Sequence, residues 1–146
     1  LSNYFFSVKN NLEDRSIQEV FLDRKGNCKK EFMTSVSPYK YIERGIYKHY
    51  LNIYYSIFPA KNIKVIILEK LLMNTKKQIE NLFFFLKIPD ISDNSYLNLN
   101  KINSTGVNYH EFKDVITYLK EYYRKHNNEL QEFLKTDLSI WNDETI

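Results

Sequence analysis

The sequence predicts a mainly α-helical fold with a single buried β-strand, and three observations support this prediction. Apolar residues recur at helical spacing along most of the chain, as in helices that bury one stripe of side chains. Residues 64–69 (KVIILE) instead form an unbroken apolar run rich in β-branched residues, which is typical of a strand buried on both faces. The length of 146 residues, of which 43% are hydrophobic, is sufficient for one core. We therefore predict one domain over residues 1–146.

Two short helices are predicted in the N-terminal part of the chain. The first covers residues 1–12, because its apolar side chains share one helical face: Leu1, Tyr4, Phe5, Val8 and Leu12. No capping residue precedes this helix, so we expect the segment to belong to a longer chain. Ser16 and Glu19 have the spacing of a capping box, which predicts a second helix that continues to about Leu22.

A long central helix is predicted before the strand. Ser37 is a good N-cap and Pro38 suits the first helical position, while Pro59 ends the helix after Phe58. Five residues at helical spacing form its predicted buried stripe: Tyr47, Tyr50, Leu51, Tyr54 and Phe58.

The C-terminal half is predicted to contain two further helices with a long loop between them. Asn74 or Thr75 caps the first, which ends before Pro89. Its predicted buried face consists of Ile79, Leu82, Phe83 and Leu86. Residues 90–109 are rich in Asn, Ser and Asp and predict a loop that is functional or mobile, since connections of this length are otherwise uncommon. The last helix is predicted from about Glu111 to Lys135.

Charge and cysteine content narrow the classes of function. The net charge of +3 suits an anionic small ligand and lies far from the strongly basic composition of nucleic-acid-binding domains, so no nucleic-acid partner is predicted. The apolar runs are too short to span a membrane. Cys28 is the single cysteine, so it forms no internal disulfide and has no neighbouring metal ligands. A cytoplasmic protein without a metal site is predicted, with a Golgi-type or secreted parent as the alternative.

Several motifs, in their order and spacing, resemble the C-terminal half of a known enzyme family. These motifs are YKYIERGIYKHYL (39–51), Phe58-Pro59, IKVIILEKL (63–71), FFLKI (84–88), YYRKHNNEL (122–130) and DLSIW (137–141). The family is that of the sulfotransferases that use 3′-phosphoadenosine-5′-phosphosulfate (PAPS), in particular the heparan and bacterial-type branch. The family has a glycine where this chain has Lys87. The resemblance implies the C-terminal part of the α/β, P-loop-like sulfotransferase fold.

The resemblance also implies a binding site for the donor PAPS. Ser2 aligns with the family serine that binds the 3′-phosphate of the donor, while the partner arginine, the phosphate-binding loop and the catalytic base lie outside this sequence. No catalytic residue is therefore predicted, and we expect this chain alone to be inactive. A second donor contact is expected from the loop at residues 100–107, with Lys101, Ser104, Thr105 and Gly106. The alternative for these four residues is an ordinary polar loop.

The acceptor site and the partners follow from the same resemblance. Arg44 and Tyr47 are three residues apart on the predicted central helix and are expected to contact a carbohydrate or small-molecule acceptor. The alternative for Arg44 is a solvated or ion-paired surface residue. Because the lone strand has no partner, we expect a homodimer or pairing with a missing N-terminal half. A non-catalytic helical interaction or scaffold domain remains the alternative function.

Overall fold

The computed structural model describes residues 1–24, 40–89 and 107–141, and 71% of these residues are helical. The α-helices are α1 (Ser2–Lys9), α2 (Ile17–Phe21), α3 (Tyr47–Ile57), α4 (Leu68–Met73), α5 (Thr75–Leu86) and α6 (Lys113–Leu134). Short 3-10 turns lie at Glu43–Gly45, Ala60–Asn62, Tyr109–Phe112 and Ser139–Trp141. The mainly helical prediction is confirmed. The chain forms two compact units, residues 1–50 with 103–146, and residues 51–102.

The first unit is organised around α1, α2 and α6. Its buried cluster consists of Tyr4, Ile17, Val20, Phe21, Ile42 and Val115. Phe21 and Val115 are each only 2% exposed, so the contact between α2 and α6 is at the centre of this core. None of the helices that the structure describes has both the length and the apolar character needed to cross a membrane.

Capping or left-handed residues lie at several helix ends in the first unit. The capping box of α2 is confirmed, since Ser16 Oγ accepts from the Glu19 N–H at 3.2 Å and the Glu19 carboxylate accepts from the Ser16 N–H at 2.7 Å. α1 ends at Lys9, earlier than predicted, because Asn11 adopts a left-handed conformation with φ 55° and turns the chain. α6 has nearly the predicted length and ends before Lys135, which has φ 50°.

The predicted long central helix is wrong in its N-terminal half. Ser37 and Pro38 lie outside the described residues, and α3 begins only at Tyr47. Before it, Glu43–Gly45 forms a 3-10 turn, and Ile46 has φ −83° and ψ 69°, outside the helical region. The helical pattern in the sequence therefore spans a break that the apolar spacing does not reveal.

The stripe on the central helix is also not buried as predicted. Tyr47 is 53% exposed, Tyr54 56% and Phe58 49%. The reason is that helical spacing identifies one face of α3 but does not establish that another element covers that face.

The predicted β-strand at residues 64–69 is not observed among the described residues. Ile63 and Ile67 have extended backbone, yet no β-ladder occurs in residues 1–24, 40–89 or 107–141, and helix α4 already begins at Leu68. The predicted burial is not observed either, because Ile66 is 39% exposed and Leu68 61%. A strand requires a neighbouring strand, which the described chain does not provide. Residues 68–73 (LEKLLM) moreover favour a helix.

The second unit contains α4 and α5 packed on each other. The predicted cap of α5 is confirmed, because the Asn74 side chain accepts from the Lys77 N–H. Thr75 Oγ1 donates to the Leu71 carbonyl at 2.9 Å and connects the two helices. The predicted buried face of α5 is only half-buried at Ile79, Leu82 and Phe83, and Leu86 is 51% exposed.

Candidate functional site

The predicted donor ligand Ser2 lies at the first position of α1, next to Tyr109. The two hydroxyl oxygens are 3.0 Å apart, although the residues are separated by 107 positions in the sequence. Tyr109 follows closely after residues 100–107, the predicted donor-binding loop. Ser2 therefore lies beside a residue that follows the predicted donor loop in the sequence, while residues 100–106 of that loop lie outside the described residues. Sequence reasoning did not identify Tyr109, whose only signal is its position just after that loop.

Aromatic contacts and a cap hold Tyr109 in place. The Phe5 ring lies 6.2 Å from the Tyr109 ring and 5.1 Å from the Phe112 ring, measured between centroids. At the start of the 3-10 turn, the Asn108 side chain accepts from the N–H of His110 at 3.3 Å. These contacts anchor the turn to α1, so the position of the Tyr109 hydroxyl is set by the first unit's packing.

The N-terminus of α1 provides a suitable environment for an anion. The first helical hydrogen bond runs from the Phe5 N–H to the Leu1 carbonyl at 3.1 Å, so the N–H groups of Ser2, Asn3 and Tyr4 have no intrahelical acceptor. No side chain caps this end, and its first turn contains no acidic residue. Free N–H groups and the helix dipole favour a negative group such as phosphate. Since one of the Ser2 and Tyr109 hydroxyls donates to the other, the pair adds one further O–H donor.

The other four predicted donor ligands lie outside the described residues. They are Lys101, Ser104, Thr105 and Gly106. Their assignment to the donor stays a prediction.

The structure separates the two predicted acceptor residues. Arg44 lies half-buried in the Glu43–Gly45 turn, whereas Tyr47 is the first residue of α3 and has its ring 6.1 Å from that of Trp141. They do not share a helical face, because the i, i+3 relationship holds only within one continuous helix. Within the described ranges, the Arg44 guanidinium forms no ion pair, and neither residue hydrogen-bonds to Ser2.

A second polar cluster, which the sequence did not reveal, surrounds Glu13. Its side chain is fully buried and accepts from Arg15 Nε and Nη2, both at 2.9 Å, and from the Tyr41 hydroxyl at 3.0 Å. Burial acts to raise the pKa of Glu13, but the hydrogen bonds from Arg15 and Tyr41 outweigh it and lower the pKa to about 2. Each polar side chain in this cluster has a hydrogen-bond partner, so the cluster's role is to fix the loop between α1 and α2.

No family model, curated protein or solved structure matches the chain. In the part of the chain that the structure describes, no three His, Cys, Asp or Glu side chains group closely enough to hold a metal ion.

Proposed function

We propose that the chain is the C-terminal part of a PAPS-dependent sulfotransferase. The intact form would transfer a sulfuryl group from PAPS to a hydroxyl or amine of a carbohydrate or small-molecule acceptor. The observation that carries this proposal is the 3.0 Å contact between the hydroxyls of Ser2 and Tyr109. It places the residue aligned with the family's phosphate ligand beside Tyr109, which comes two residues after the loop expected to provide the second donor contact.

The backbone at Lys87 supports the same proposal. Lys87 follows α5 with φ 56° and ψ 38°, the left-handed conformation that glycine adopts most easily. The sulfotransferase family has a glycine at the aligned position. A left-handed residue at this position is compatible with the family's glycine, which supports the alignment of FFLKI with the motif.

The extended segment at residues 63–67 is compatible with a strand of the P-loop-like sulfotransferase fold. In that fold the neighbouring strands come from the N-terminal half. Within this proposal the segment is a sheet strand whose partners are not among the described residues.

The proposed role of this chain in the reaction is to hold the donor. Sulfuryl transfer, like phosphoryl transfer, depends on positioning and on donors directed at charged oxygens. The hydroxyls of Ser2 and Tyr109 and the free N–H groups of α1 would bind the 3′-phosphate and so fix the donor's orientation. The Arg44 guanidinium forms no ion pair with a carboxylate among the described residues. It would therefore be available to bind an anionic acceptor.

Titration calorimetry with adenosine 3′,5′-bisphosphate tests the proposal. A hydrogen bond to a charged phosphate contributes about 1.5–3 kcal/mol, so Ser2→Ala and Tyr109→Phe should each weaken binding at least roughly tenfold. Ser56→Ala, at an exposed serine of α3, is the matched control and should bind as the wild type does. Absence of binding, or equal affinity in all three variants, would contradict the proposal.

The exposed apolar side chains of the second unit favour the alternative, a helical interaction or scaffold domain. Large hydrophobic residues more than 45% exposed there are Ile53, Tyr54, Ile57, Phe58, Leu68, Leu72, Met73, Phe84, Leu86 and Ile88. A continuous exposed apolar surface is typical of a site that binds another protein. A folded chain that does not bind the bisphosphate would favour this function.

A further inference from the structure

The extended segment at residues 63–67 has unused hydrogen-bonding groups. Within the described part of the chain, the backbone N–H groups of Lys64, Val65 and Ile66 donate to no acceptor. A run of backbone donors in extended conformation is a template for another strand. A second strand can pair with such a run, whereas a lipid tail or an apolar helix face cannot.

The two faces of the segment differ in burial. Ile63, Val65 and Ile67 are half-buried, whereas Lys64 and Ile66 are exposed, as expected for an alternating strand with one covered face. An open groove of about 860 Å³ lies beside the segment. It is lined by Lys64, Asn81, Phe84, Phe85, Lys87 and Ile88. Lys64 is the residue of the segment that borders this groove, so open space adjoins the N-terminal part of the segment.

We propose that residues 63–67 pair in antiparallel orientation with the same residues of a second copy of this chain. A two-fold axis through such a pair must pass midway between one residue and its copy, because otherwise opposing side chains would lie on different faces. With Val65 at the axis, Lys64 lies opposite Ile66 and Ile63 opposite Ile67. This register uses the whole extended segment.

Charge complementarity favours a second copy in this orientation. The run KVIILE begins with Lys64 and ends with Glu69, which lies in the first turn of α4. Antiparallel pairing brings Lys64 of each copy close to the end where Glu69 of the other is located. Parallel in-register pairing would instead align each charge with its like, which is unfavourable. The pairing uses one edge of the segment, which leaves the other edge for a strand of the N-terminal half, and it does not depend on sulfotransferase activity.

Sedimentation equilibrium of the full chain gives the first test. We expect a monomer–dimer equilibrium that Ile66→Pro weakens at least tenfold, since proline removes a ladder donor. The same change removes no hydrogen bond from the monomer, because this N–H has no partner there. Circular dichroism checks that the variant is folded.

Two lysine substitutions separate strand pairing from general hydrophobic association. Ile66→Lys places a lysine opposite Lys64 of the other copy, so like charges face each other and the chain should be a monomer. Leu72→Lys, on α4 at a side chain that is 66% exposed, is the matched control and should leave the dimer intact. A monomer at all concentrations would overturn the proposal, as would equal weakening by both lysines. A monomeric chain that instead binds phosphatidylserine vesicles would also overturn it and assign the apolar surface to lipid.

A disulfide tests the register. In a Cys28→Ser background, Val65→Cys is expected to form a disulfide-linked dimer under mild oxidation, since each residue 65 faces its own copy. Ser56→Cys, at an exposed site outside the segment, serves as the control and should remain uncrosslinked. Equal crosslinking at both positions would overturn the register.

Discussion

The hydroxyl of Tyr123 on α6 donates a 2.6 Å hydrogen bond to the carbonyl of Ile42. That carbonyl also accepts from the Gly45 N–H at 3.0 Å, so the bond attaches the Glu43–Gly45 turn to α6. Burial raises the pKa of Tyr123, which keeps the phenol protonated as the donor. This contact fixes the chain just before the point where α3 begins.

Replacing Gly45 with alanine should weaken this attachment. A Cβ at position 45 would lie 2.5 Å from the Tyr123 hydroxyl oxygen and 2.6 Å from the ring, which forces the turn or α6 to move. We expect Gly45→Ala to reduce the free energy of unfolding by about 1–3 kcal/mol, the usual cost of overpacking. Urea denaturation monitored by circular dichroism measures this change in the free energy of unfolding.

A double-mutant cycle tests whether the clash with Tyr123 causes this loss of stability. In a Tyr123→Ala background the clash is removed, so Gly45→Ala should then change stability by less than about 0.5 kcal/mol. An unchanged cost in that background would assign the effect to the backbone of the turn instead.

The buried Glu13 cluster predicts sensitivity to acid. The pKa of Glu13 is about 2 in the folded protein against 4.5 ordinarily, so its contribution is present above pH 4.5 and is lost as the pH falls towards 2. At about 1.4 kcal/mol per pH unit this contribution is on the order of 3 kcal/mol. In Glu13→Gln the free energy of unfolding should be lower at pH 7 and should fall less between pH 5 and 2.

The exposed neighbour Asp14 provides the control for this experiment. Asp14→Asn should keep the acid dependence of the wild type, measured by urea titrations at each pH. If Glu13→Gln loses stability in acid as steeply as the wild type, other carboxylates are responsible.

Tyr41 predicts a loss of stability at high pH. Burial, together with the neighbouring Glu13, raises the pKa of Tyr41 from 10 to about 12. A raised folded-state pKa stabilises the protein below pH 10, and this contribution is lost as the pH rises from 10 to 12. Tyr41→Phe should therefore show a shallower decline of melting temperature over that range. Tyr54→Phe, at a tyrosine that is 56% exposed, should decline as the wild type does.

Local signals in the sequence identified the parts of the fold that depend on local chemistry. The capping box at Ser16 and the apolar period of α6 predicted their helices because caps and periodicity act within a few residues. The break before α3 was missed, since the turn that precedes it is attached by a hydrogen bond to the distant Tyr123. The contact between Ser2 and Tyr109 could not be derived either, because only tertiary packing brings together residues so far apart in the chain.

Lys87, the residue that follows α5, has a strained backbone conformation. Lys87 adopts φ 56°, a conformation that costs a residue with a side chain about 1 kcal/mol and costs glycine very little. Lys87→Gly should therefore raise the free energy of unfolding by about 0.5–1 kcal/mol, while the β-branched Lys87→Val should lower it. Lys77→Gly, inside α5, is the control and should destabilise by about 1 kcal/mol, because there glycine loses helix propensity and the exposed ion pair with Glu80. Urea titrations of the three variants measure these differences, and a destabilised Lys87→Gly would show that the lysine side chain contributes more than its backbone strain costs.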